Sequence, residues 1–135
     1  METARLTELL LQSLEHERGS AKVYQAAVEC ALNAGLEHEL AKHLTETEHH
    51  LARLTQLISA FGIDPETQTP GRRLVAFLGE SLLDTIRAAA EKGPPEAAEL
   101  VACECVVFVQ TKAYLDWELS AVPTSPTRHT ANARG

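Results

Sequence analysis

LEHELAKHLTETEHHLARLTQLISAF, residues 36–61, decides the fold. Its apolar residues fall at Leu36, Leu40, Leu44, Leu51, Leu54, Leu57, Ile58 and Phe61. Steps of three, four and seven describe one face of an α-helix, not the alternation of a strand. Upstream, Leu6, Leu10, Leu14, Ala21, Tyr24, Val28 and Ala31 repeat the period. Two long amphipathic segments with only a few residues between them form an antiparallel hairpin.

Turn chemistry divides the rest. Ile63-Asp64-Pro65-Glu66-Thr67-Gln68-Thr69-Pro70-Gly71 is rich in turn formers, and Lys92-Gly93-Pro94-Pro95 is a stop signal. The spacing predicts four helices, α1 over about 3–33, α2 over 36–61, α3 over 72–91 and α4 over 96–121. Gly35 reads as the stop of α1, and Gly19 marks a close helix approach. Residues 1–122 are expected as an all-α, antiparallel four-helix bundle. Residues 123–135 are polar, lack periodicity and read as a disordered tail. The segment between α2 and α3 has room for a modest crossing and is short for one along the full bundle.

Composition agrees. Aromatics are 4% of the 135 residues, and Ala and Leu dominate the 44% that are hydrophobic, which favours helix over strand. The net charge of -7 and the lack of a basic stripe exclude the electrostatic footprint of a nucleic-acid binder. No apolar run approaches the ~20 residues that span a bilayer. The N-terminus shows no charged-then-apolar leader pattern. Three cysteines without a CxxC read as reduced helix residues of a cytoplasmic protein.

Some polar residues break the apolar pattern. Glu17 falls within about 20° of the apolar centre of α1, whereas Glu15, His16 and Arg18 read as solvated. Glu104 occupies the same kind of position in the α4 stripe Val101, Glu104, Phe108, Thr111, Leu115. On α2, Glu46 pairs with His49 at a spacing of three and with His50 at four, so carboxylate and imidazole share one side. By angle, His50 and His43 lie nearer the apolar face than His49 does. A buried lone carboxylate costs several kcal/mol unless it is paired, protonated or metal-bound. Glu17, Glu46 and Glu104 are therefore expected to converge on an iron or manganese site. The alternative for Glu17 is a buried acid satisfied by Tyr24 or Tyr114. On α3 the best candidate is Glu80, although it falls on the polar side with Asp84.

Residues 103–109 of α4 are apolar except for Glu104 and cover almost the whole circumference. A helix apolar all round needs cover on more than one side, so α4 is expected to form a homodimer, with Trp117 as a dimer or core anchor.

Glu17 with Tyr24 seven residues on, then Gly35-Leu36, resembles the first helix and turn of bacterioferritins. The run from His43 to Leu54 (HLTETEHHLARL) resembles the second helix of the small bacterial ferritin-like stress proteins. The resemblance to this ferritin-like superfamily implies a di-iron or di-manganese carboxylate centre with ferroxidase or peroxide-linked activity. Glu17 would be a terminal ligand, Glu46 and Glu104 bridges, and His49 a nitrogen ligand, with Tyr24, Thr47 or Thr111 orienting the carboxylates. Where the pattern wants a histidine three residues after Glu104, this chain has Val107. A ferritin-like scaffold that has lost its metal is the competing expectation.

Overall fold

A computed structural model describes residues 2–121, with side chains from Thr3 to Leu119. It contains α1 (Glu2–Cys30), α2 (Ala34–Ala60), α3 (Pro70–Lys92) and α4 (Pro95–Ala121). The polar tail read at 123–135 lies outside the described residues.

The helix ends follow capping chemistry. α1 stops at Cys30, short of the expected boundary at Asn33, because Asn33 is committed to the next helix. Its Oδ1 accepts the N–H groups of Gly35 and Leu36 at 2.8 and 3.1 Å, as an N-cap does. Gly35 is thus the first turn of α2 and not the end of α1. α2 closes at Gly62 with φ 73°. There Ile63 N–H donates to Ile58 O and Gly62 N–H to Ser59 O, the paired bonds of a left-handed glycine terminus. Thr69 caps α3, with Pro70 in its first turn, so α3 starts two residues earlier than the expectation of Arg72.

α1 is the hub. It packs against all three other helices, α3 packs on α4, and among the described residues no Cα of α2 comes within 8 Å of α3 or α4. Contacts fix the directions. Thr69 at the start of α3 donates to Glu8 near the start of α1, and Gly79 lies opposite Gly19 further along both. Sequence neighbours are therefore antiparallel, and α1 and α3 run the same way. The segment between α2 and α3 makes no lengthwise crossing, whereas ferritin-like folds commonly have one long crossover. Gly19 and Gly79 do face each other across the α1–α3 crossing, but a Cβ on either would sit 3.6–3.7 Å from the other's Cα, an ordinary contact, so the expected close approach does not depend on glycine.

Two apolar clusters form the core. The larger joins Val23, Tyr24 and Ala27 to Leu40, Ile86, Ala102, Cys105, Val106 and Val109. The smaller joins Leu10 and Leu14 to Ile58 at the other end. Between them the inner positions turn polar, with His16, Ser20 and Thr47 all buried.

Candidate metal centre

The polar layer opens on one flank as a cleft of about 210 Å³ between α1, α2 and α4. Glu17 and Tyr24 reach it from α1, His43, Glu46, Thr47 and His50 from α2. α2 supplies these side chains because positions 43, 46, 47 and 50 share one helical face. The cleft exists because the backbones of α2 and α4 stay apart over a shared neighbour.

Glu17 is partly buried. Burial raises its carboxyl above the usual carboxylate range, and the nearby His50 opposes the shift. Glu46 and His50 are exposed but line the cleft. Glu46 Oε2 stands 3.7 Å from His43 Nδ1. The His43 ring stacks on buried Tyr24, with centroids 5.8 Å apart and planes 14° from parallel. Burial raises the Tyr24 hydroxyl, while a hydrogen bond with Gln110 opposes the rise.

The other expected residues lie elsewhere. Glu104 is exposed and does not line the cleft. The buried residues of α4 are Ala98, Ala102, Cys105, Val106 and Val109, so the stripe containing Glu104 is the outer one. The expected convergence of three acids reduces to two, Glu17 and Glu46. His49 is exposed and off the cleft, because three residues from Glu46 carries it past the inner line set by Thr47 and Leu40. Glu80 is exposed on α3, as its polar-side position predicted. Tyr114, 64% exposed, is no partner for a half-buried Glu17. Thr111 and Trp117 are exposed as well, so Trp117 is not a core anchor. Among the described residues, no three His, Cys, Asp or Glu side chains stand together in a ready-made metal-holding set.

His16, read as solvated, is buried at 7% exposure. Its Nε2 lies 3.4 Å from Ser20 Oγ. Burial, then the Lys112 charge, depresses its pKa to about 4, against weaker support for the charged form from Asp116 and the Val109 backbone. A single-stripe reading missed it because α1 is covered on three sides, which widens its buried arc well beyond one stripe.

Arg72, read only as the start of α3, is 1% exposed. Its Nε donates to Glu15 Oε1 at 2.9 Å. Its Nη1 donates to the carbonyls of Pro65 and Thr67, tying the α2–α3 connection to α1. The Asp64–Thr69 turn cluster was the available signal, since a turn presents free carbonyls that a guanidinium fork can collect.

The three thiols form no disulfide, and burial raises the pKa of each, with acidic neighbours adding to it. That disfavours thiolate chemistry. No helix among the described residues is long and apolar enough to cross a membrane.

Residues 4–101 match the family model described as Domain of unknown function (DUF892). No curated protein and no solved structure gives a significant match. The match spans α1 to α3 and the start of α4, which includes every α1 and α2 residue of the cleft, and on it the chain belongs to the DUF892 family, a ferritin-like family.

Proposed function

We propose that this protein binds one divalent transition-metal ion, iron or manganese, in the cleft between α1, α2 and α4. Glu17, Glu46 and His50 are the ligands, and His43 holds Glu46 in place. The observation that carries this reading is Glu17, a half-buried carboxylate with no hydrogen bond or ion pair among the described residues, facing Glu46 and His50 across a cleft. Mixed carboxylate and imidazole donors suit iron and manganese. Glu46 and His50 are exposed and one turn apart, so their side chains have rotamer freedom to close on an ion that Glu17 anchors.

The donors around the cleft favour a reading with one ion over a reading with two. Glu104 and Glu80 are exposed on other faces, and Val107 replaces the second histidine. The reading therefore departs from the di-metal pattern of the bacterioferritins and the small stress proteins. A bound iron would supply one-electron redox chemistry, the basis for any ferroxidase or peroxide-linked activity. The outward Glu104 and Val107 favour a second reading, a scaffold without metal. Anaerobic ferrous or Mn(II) titration by calorimetry separates the two. About one ion per chain, weakened at least tenfold in Glu17→Gln (about 1.4 kcal/mol), supports the site, and no binding in the wild type leaves the scaffold.

We also infer that α4 pairs with α4 of a second copy. Leu100, Val107 and Tyr114 stand on its outer face at 52–69% exposure, with seven-residue spacing. Phe108 and Leu115 flank them, also exposed. Together these five side chains expose an apolar strip of the kind that forms the centre of a protein interface. Light scattering is expected to give a dimer, and a monomer for Val107→Glu.

A further inference from the structure

The molecule has a second cavity, unlike the first. It measures about 280 Å³ and lies between α1, α3 and α4, walled by Val75, Leu78, Leu82 and Phe108. Gly19 and Gly79 also line it. A Cβ on either glycine would meet only the opposite Cα, at 3.6–3.7 Å, which is ordinary contact. Alanine therefore fits at both positions, and the helix crossing does not require glycine. What the two missing side chains do provide is open space. An apolar cavity of about 150 Å³ holds a benzene molecule, so this one has room for an aliphatic chain of about eight carbons.

Its mouth is polar on one side. Lys112 lines it, with a half-buried ammonium bonded to Asp116. An ammonium has three donors, so this pairing leaves Lys112 able to take a further acceptor. Glu15 also lines the cavity, but its carboxylate is engaged by Arg72. Leu78, 46% exposed, stands as one apolar lip, and Phe108, at the edge of the face by which α4 is proposed to pair with a second copy, stands as the other. A largely apolar wall, apolar lips and a Lys112 ammonium at the rim with a donor beyond its bond to Asp116 match a molecule with an apolar body and an anionic head.

We propose that this cavity binds a medium-chain carboxylate, its chain over Gly19 and Gly79 and its head at Lys112. The proposal is independent of the metal reading. The test is calorimetric titration of the full chain with octanoate and with octanol, which has the same body and no charge. Octanoate is expected to bind one per chain, about tenfold tighter than octanol, the worth of one charge-assisted hydrogen bond. Lys112→Met should erase that preference and leave octanol binding unchanged. Gly79→Leu, which fills the cavity, should abolish binding of both while metal titration stays as in the wild type. If Gly79→Leu fails to fold by circular dichroism, Leu82→Phe fills the space from the same helix and should give the same loss. Equal affinity for octanoate and octanol, or binding that survives filling, overturns the proposal. Binding seen only in monomeric Val107→Glu also overturns it, because the cavity would then belong to the contact between two copies.

Discussion

On one flank of α1, the buried Arg72 guanidinium is engaged by the Glu15 carboxylate and two loop carbonyls. On another flank, Glu17 is partly buried with no hydrogen bond or ion pair among the described residues, and lost solvation, opposed by the nearby His50, holds its carboxyl above the usual range. Two residues of one helix thus meet the cost of a desolvated carboxylate in opposite ways. The Arg72 flank is finished by the chain itself and fastens a connection. The Glu17 flank is unfinished, which is a reason to look for a ligand there. Perturbed titratable groups in clefts mark functional sites more often than perturbed groups in closed ion pairs do.

The largest test of this contrast is Arg72→Met. It leaves the half-buried Glu15 carboxylate unpaired and frees two carbonyls, so urea unfolding should show a loss of about 3 kcal/mol, the low end for breaking a buried pair. A loss below about 1 kcal/mol would mean that the buried pair is no anchor, on the scale of exposed ion pairs.

His16 ranks next and works through pH. Its folded pKa of about 4 lies below the 6.5 of a free histidine side chain. The neutral ring therefore contributes stability that is fully present above pH 6.5 and is lost as pH falls toward 4. In metal-free protein, His16→Gln should flatten the decline of stability between pH 6.5 and 4 by on the order of 2–3 kcal/mol. Equal slopes in wild type and variant would place His16 in solvent.

The smallest effects separate Glu17 from Glu104. Because the Glu17 pKa is raised, its ionised form works against folding, and the penalty disappears as pH falls below the raised value. Metal-free Glu17→Gln should thus be more stable than wild type at pH 7, by about 1 kcal/mol, with the gain vanishing at acid pH. Glu104→Gln, on the exposed outer face of α4, should stay within about 0.5 kcal/mol of wild type and leave metal titration unaltered. A large effect at Glu104 would put it back in the site.

Much of the cleft was legible beforehand. Glu17 sits on the stripe that α1 buries, and His43, Glu46 and His50 share the face of α2 that meets it. α4 was legible as an apolar helix but not as to which side faces in. Val101, Glu104, Phe108 and Leu115 form as regular a stripe as the buried set of Ala98, Ala102, Cys105 and Val109. Periodicity cannot choose between two apolar faces of one helix, and the reading chose the one that is outward apart from half-buried Val101. The same choice turned an exposed Glu104 into an expected ligand.

Four helices, their approximate ends and the inward position of Glu17 were set by local chemistry. Hydrophobic spacing, Asn, Thr, Gly and Pro at the boundaries, and the energetic penalty of a lone acid act within a turn or two of chain. The burial of His16, the closure of Arg72 over the α2–α3 connection, the outward turn of Glu104 and the two cavities beside α1 came only with tertiary packing. Each depends on which helices stand next to α1 and how far apart they remain. Those are contacts between residues dozens of positions apart, and a helical period carries no information about them.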